Sequence, residues 1–506
     1  MRWPTLSNRI LSIDEPDYFA QAARLRSVEA FIYSFYYRVE VKSQIGLIPY
    51  LLAAAIDPPN AVFLVHVFGL LAVLASCWLL IAMAARFLGG PLPGLAAALL
   101  WLPYLEVGPG YALGGHNVLE YFPAPKLEYF QTPFVLATIY LFADGAQALA
   151  RDQRRAARLL AGAGVLWAVA VLIKPSALLL GPFYLAALPF IVPRAAWGRQ
   201  LLGAGAAFVV AAAVPVVLVF GPYLLNPPAL AELRFNLFES TSSYAAAGAT
   251  EPTIRILSLL LTGLPPLLGL GFLLGPFAVR SALRGRPAPA ASPLLPLVIG
   301  SGPLLFLSSL AGCICPYYYV TIVPFLALTV TAYLAQLGTV LLQAGRRREA
   351  IAGAALLAVL YLAPQLPALA AFPAQAGTDL YLADDRARFD LDGVLGYIRE
   401  HAPPDAPIWV YYNTPELYMW SDRPPATRDP QADWLSFVWS EPWFSRTVAE
   451  LAAEQPAVIV GIDQARLPHP NARSITEIPQ VSAWIAAHYQ CNPALVRGTT
   501  VCTRNP

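Results

Sequence analysis

Charge is what this chain lacks most. Only 13% of its 506 residues are Asp, Glu, Lys or Arg, while 57% are hydrophobic and the mean hydropathy is +0.55. Soluble domains carry about 25% charged residues, so the scarcity excludes an ordinary soluble protein. Cysteine is nearly as rare: five in all, too few for a fold held together by disulfides. The formal charge of +2 favours no partner of either sign, and no basic run is interleaved with aromatics in the manner of a nucleic-acid surface. No signal peptide is visible at the start.

What is present is a series of long apolar runs, confined to residues 44–372. A span needs roughly 20 mainly apolar residues to cross about 30 Å of hydrocarbon. About ten segments qualify: 61–87, 93–106, 130–143, 159–173, 175–192, 201–225, 256–278, 293–311, 318–342 and 348–372, three of them short. The run 44–56, interrupted by Pro49, is too short to cross and reads as a helix lying in the interface. Residues 376–506 have the composition of a soluble domain. The sequence therefore predicts a mainly α, polytopic helical bundle over 61–372. An outer-face segment, 1–60, precedes it and a small α/β domain, 376–506, follows it.

Basic residues orient the bundle. Alternate loops carry Arg86, then Arg151, Arg154, Arg155 and Arg158, then Arg194 and Arg199, then Arg280, Arg284 and Arg286, and finally Arg346, Arg347 and Arg348. That side is expected to be cytoplasmic. Residues 1–60, the loops 107–129, 226–255 and 312–317, and the tail then share the outer face of a plasma (bacterial inner) membrane. Such a topology wants a span ahead of the first outer segment, so either a chain truncated at its N-terminus is expected, the favoured reading, or residues 1–60 are pulled across by the span 61–87.

The polar groups of the outer face can now be taken together. In SIDEPDYFAQAARL, residues 12–25, Asp14 and Glu15 open a short helix with Pro16 in its first turn. Tyr18 follows on one face of it. Lys42 stands just before the interfacial helix, where an ammonium meets lipid phosphates or simply snorkels. The next outer loop supplies His116, a candidate for proton transfer or a plain surface residue, and Lys126 and Glu128, at the edge of a span where charges are costly unless paired or facing a cavity. Lys174 reads as a lone cation at the outer surface, followed by Pro175. Tyr317 and Tyr318 suit a sugar or lipid site and an aromatic belt equally. Cys491 and Cys502 flank what reads as a final hairpin, a candidate disulfide in an oxidising compartment. Cys313 and Cys315 lack the further ligands of a metal site.

Within the tail, FDLDGVLGYIREHAPP, 389–404, has helical periodicity. IWVYY, 408–412, and AVIVGI, 457–462, read as buried parallel strands with a helix at 444–455 between them.

Several of these strings resemble a known group. SIDEPDYFAQAARL is similar to the acidic motif in the first outer loop of GT-C membrane glycosyltransferases of the protein O-mannosyltransferase and aminoarabinose transferase kind. VEVKSQIGLIPYLLAAAI, KLEYFQTPFVLATIYLF, AVLIKPSALLLGPF and CPYYYVTIVPFLALTV resemble later segments of that group, in the same order, and APIWVYYNTPELYMWSDRPPATR resembles its small outer domain.

The resemblance implies transfer of a sugar from a polyprenyl-phosphate donor to an acceptor hydroxyl on a protein, lipid or glycan at the outer face. Asp14 would be the base, Glu15 would orient the acceptor or support Asp14, and Glu128 would be a further acid of the site. Lys42 and Lys174 would hold the donor phosphate, with Tyr18, His116, Lys126, Tyr317 and Tyr318 lining the substrate. No metal or other cofactor is expected, although the oligosaccharyltransferase branch holds a divalent ion at its acids. The rival readings are a transporter or flippase and a non-catalytic protein of envelope polysaccharide handling. The transporter reading is disfavoured by the lack of mid-membrane charges and of a half-to-half repeat.

Overall fold

The computed structural model describes residues 19, 45–57, 60–107, 127–192, 194, 197–234, 293–309, 319–343, 345–362, 390–411, 416–427, 441–462, 474–496 and 499–505. These fall into two compact units. One holds the described residues of 66–222 and 293–362, and the other those of 19–65, 223–234 and 390–505.

The first unit is helical. Its elements are α2 (Ala61–Phe87), α3 (Leu92–Val107), α4 (Leu127–Ala148), α5 (Gln153–Ile173), α6 (Leu180–Ile191), α7 (Arg199–Leu224), α9 (Leu294–Ser309), α10 (Tyr319–Gln343) and α11 (Arg347–Leu362). Each coincides with one of the expected spans; the tenth, 256–278, lies outside the described residues. Among the described residues, four helices are long and apolar enough to cross a membrane: Ala61–Phe87, Gln153–Ile173, Arg199–Leu224 and Val320–Gln343. The run 175–192 is not one continuous helix. Pro175–Ala177 form a 3-10 turn and α6 begins only at Leu180.

Small residues let these helices approach. Gly94 of α3 lies against the Leu80 carbonyl of α2, and Gly164 of α5 against the Phe208 carbonyl of α7, where a Cβ would collide with backbone. Such contacts take the place of the hydrophobic driving force that lipid removes. On its other side α7 exposes Leu202, Val209, Val210, Val214, Val217 and Leu218. A helix apolar on all faces yet only partly covered by protein suits hydrocarbon surroundings.

The second unit begins with α1 (Ile48–Ile56). Pro49 does not break this segment but occupies its first turn, where the missing N–H costs nothing. Tyr50 of α1 is wholly buried, and Phe19 meets its ring edge-on at 5.2 Å between centroids. Phe19 is thus tied to α1 by an aromatic contact. The short helix α8 (Pro227–Arg234) belongs to the same unit.

The tail folds as α12 (Leu391–His401), β1 (Ile408–Val410), α13 (Glu416–Ser421), α14 (Glu441–Glu454), β2 (Val458–Ile462), α15 (Pro479–His488), β3 (Tyr489–Val496) and β4 (Thr499–Arg504). The sheet order is β1-β2-β4-β3, with β1 parallel to β2 and the rest antiparallel. The two apolar runs are thus parallel neighbours joined through α14. Edge strand β1 is blunted by its own chain. Ile408 N–H donates to Pro424, Ala426 N–H to Ile408, and Val410 N–H to the Tyr418 hydroxyl. Burial pushes the Tyr489 phenol up to about 12, against the pull of Arg504, so it remains a donor to the Pro456 carbonyl at 2.8 Å.

Cys491 and Cys502 sit opposite each other on β3 and β4 and are joined by a disulfide. Closing a loop 11 residues long should contribute about 2–3 kcal/mol on a chain-entropy basis. Replacing both cysteines by serine is therefore expected to lower the unfolding free energy of the isolated transition of this domain by that amount. Denaturant titration with and without reductant checks it, since the variant should become insensitive to reductant.

Candidate functional site

The first unit carries a buried polar cluster where α4 begins and α5 ends. Helix α5 stops at Lys174 because the following Pro175 pushes that residue out of helical geometry. Lys174 takes extended backbone angles and its N–H closes the helix on Ala170 at 3.0 Å. This turns its side chain toward the first turn of α4, where its Nζ donates to Glu128 Oε1. The Glu128 side chain is 3% exposed and that of Lys174 20%. A carboxylate so buried would be expensive alone.

Other polar groups complete the arrangement. Gln131, one turn after Glu128 and fully buried, donates through Nε2 to the carbonyls of Ala170 at 2.9 Å and Lys174 at 2.7 Å. The Ala170 carbonyl thus accepts both this amide and the Lys174 N–H that closes α5. Its Oε1 accepts from Ser176 at 3.1 Å, and the Ser176 carbonyl accepts from Ser308 of α9 at 2.8 Å. Thr132 donates back to the Glu128 carbonyl at 2.6 Å and lies 3.1 Å from the Thr321 hydroxyl of α10. Three neighbouring helices and the 3-10 turn thus hold Glu128 and Lys174 in place. The chemistry on offer is a fixed ammonium, paired with Glu128 and able to donate to an anionic oxygen.

A second ion cluster marks the other end of α4. Asp144, 8% exposed, accepts Arg86 of α2 on Oδ1 at 2.7 Å and Arg155 of α5 on Oδ2 at 2.9 Å. The ends of α2 and α4 and the start of α5 therefore lie on one side, as the alternation of arginine-bearing loops requires. Sixteen residues separate Glu128 from Asp144, which is about 24 Å of helix. The two clusters stand nearly a hydrocarbon thickness apart.

Among the residues expected to form the site, Glu128 and Lys174 are brought together. Lys174 is not the lone cation expected from its position in the chain; Glu128 is its partner. Asp14, Glu15, Tyr18, Lys42, His116, Lys126, Tyr317 and Tyr318 lie outside the described residues, as do Cys313 and Cys315. The acidic pair, where a divalent ion would sit, is among them. Gln131, Thr132, Ser176 and Thr321 were not expected. Gln131 alone left a trace, as an amide inside an apolar segment.

No family model and no curated protein sequence matches the chain. Solved structures do. ArnT from Cupriavidus metallidurans bound to undecaprenyl phosphate superposes with a TM-score of 0.56 at 14% identity, covering 100% of this chain and 97% of that one. The same protein in its apo state gives 0.51 at 14% identity, with the same coverage. The archaeal oligosaccharyltransferase AglB from Archaeoglobus fulgidus, in complex with an inhibitory peptide and a dolichol-phosphate, gives 0.50 at 13% identity over 91% of this chain and 68% of that one. These are membrane glycosyltransferases of the GT-C fold, and the chain shares that fold.

Proposed function

We propose that this GT-C-fold protein is an integral-membrane glycosyltransferase, moving a sugar from a polyprenyl-phosphate donor to an acceptor hydroxyl on the outer face. The observation that carries the reading is the buried Glu128–Lys174 pair, set at the end of α4 remote from the arginine-rich end. A fixed cation at that end supports the reading, because the phosphate of a carrier lipid needs one. The grouping of residues 19, 45–57 and 223–234 with the tail in one compact unit supports a shared outer face for those segments. The ten-span count and the outer placement of 376–506 belong to the same proposal. Both ArnT and AglB were solved with a polyprenyl-type phosphate lipid, which favours such a carrier here.

The chemistry asks little of the protein. Asp14 takes the acceptor proton, the acceptor oxygen bonds to the anomeric carbon, and the bond from that carbon to the phosphate oxygen breaks. The electron pair stays on the phosphate, and polyprenyl monophosphate leaves. A phosphate is a good leaving group at neutral pH, so cations at the departing oxygens can replace a general acid. Lys42 and Lys174 supply those cations. Glu15 orients the acceptor, and Tyr18, His116, Lys126, Tyr317 and Tyr318 contact the substrates.

Purified protein reconstituted with a polyprenyl-phosphate sugar is expected to release polyprenyl monophosphate when cell-envelope acceptor lipid, peptide or glycan is added. Thin-layer chromatography of the carrier measures this. A donor moved across the bilayer but left uncleaved would favour the flippase reading. A donor neither moved nor cleaved would leave the non-catalytic one.

A further inference from the structure

The arginine-rich end of the helical unit is more than a topology signal. Asp144 grips Arg86 through Nε and Nη2, at 3.2 and 2.7 Å, and Arg155 through Nη2 at 2.9 Å. The Arg86 guanidinium is held along one edge and that of Arg155 by one nitrogen, yet their side chains remain 46% and 54% exposed. Arg151, Arg154 and Arg158 stand beside them, all exposed, on the turn into α5 and its first two turns. Arg158 Nε reaches the Arg154 carbonyl at 3.4 Å, which keeps these two together. The one further acid here, Asp152, caps α5 by accepting the Arg155 backbone N–H at 3.0 Å. Among the described residues, five guanidiniums against two carboxylates leave three positive charges without an acidic partner in this corner.

We propose that this corner is a binding site for the headgroup of an anionic phospholipid. Three features point to that occupant. The excess charge is positive and belongs to arginine, whose planar fork suits phosphate better than an ammonium does. Asp144 fixes two of the forks in advance, lowering the ordering cost that a long side chain otherwise carries. And α2 and α5 are both long and apolar enough to cross a membrane, so their arginine ends fall at headgroup depth. A bilayer phosphodiester therefore meets the patch from the side, with its acyl chains against the exposed apolar faces of Leu71, Leu74 and Trp78 on α2. The site does not depend on which reaction the opposite face performs.

The test uses the full chain in nanodiscs of phosphatidylcholine doped with phosphatidylglycerol, read by native mass spectrometry of lipids retained after release. The wild type is expected to keep phosphatidylglycerol in preference to phosphatidylcholine. Arg151→Ala/Arg154→Ala/Arg158→Ala, which leaves Asp144 and its two partners intact, should cut that preference about 30- to 120-fold, at roughly three- to fivefold per arginine. Equal retention by wild type and variant, or no preference in the wild type, overturns the proposal. Should the triple variant fail to accumulate, the wild type decides alone. Raised salt must erode its preference, and a salt-independent preference also overturns the site.

Discussion

Replacing Lys174 by methionine is expected to destabilise the helical unit by several kcal/mol. Removing one member of a buried ion pair leaves the other as an uncompensated charge, at a cost of about 3–5 kcal/mol. Glu128 is the member left behind, with 3% of its side chain exposed. Lys174 keeps a fifth of its side chain in contact with the surroundings, so the lower half of that range is expected. Adding Glu128→Gln to the same chain should return most of the loss, because exchanging both charges for neutral groups of similar size is often close to neutral. Thermal unfolding of the four members of this cycle in one detergent measures the coupling. Simple addition of the two single effects would show that the ammonium and carboxylate do not depend on each other. The double variant then separates structure from chemistry. If it folds like the wild type but transfers no sugar, the charged pair serves the reaction, and a raised KM for the donor assigns that role to the Lys174 ammonium. If it folds and transfers normally, the pair is a membrane-edge staple and the phosphate is held elsewhere.

Much of this fold is visible in the chain because its signals are local. The apolar run 61–87 becomes α2 with the same bounds, since nothing inside it competes with helix. IWVYY and AVIVGI become paired parallel strands because β-branched and aromatic residues of that density, 50 positions apart with a helix between, have few other arrangements. The hairpin around Cys491 and Cys502 is equally local. The break inside the run 175–192 has a reason of the opposite kind. Hydropathy cannot see that the Trp167 indole donates to the Ala177 carbonyl at 2.9 Å, or that Ser308 holds the Ser176 carbonyl, and together these stabilise a 3-10 turn before α6. The site was legible only in part. Sequence shows that Glu128 and Lys174 each stand at a span edge, but not that residues 46 apart face one another. Nor does it reveal that Asp144 serves two arginines at once, although an acid at the end of an apolar helix between arginine loops was a usable hint.

Substituting Asp14 by asparagine should lower sugar transfer about 10²- to 10⁴-fold, the usual worth of a positioned general base. The change keeps size and hydrogen-bonding capacity while removing the ability to take a proton, so the loss should fall on kcat and leave the KM for the polyprenyl donor nearly unchanged. The Lys174→Met/Glu128→Gln chain would behave differently if the ammonium it has lost binds phosphate, because donor affinity would suffer there. That contrast gives the acidic pair a test that does not lean on stability: Asp14→Asn should melt with the wild type. Asp14→Glu, which restores a carboxylate one methylene farther out, should recover part of the rate. A donor KM that rises with kcat intact would recast Asp14 as a binding residue. A rate equal to the wild type's would remove it from the mechanism and leave the acceptor proton to another base, with His116 the next to substitute. The chemistry needs only one base because phosphate departs without help from an acid. Loss of that base should therefore dominate every other single change at the acceptor side.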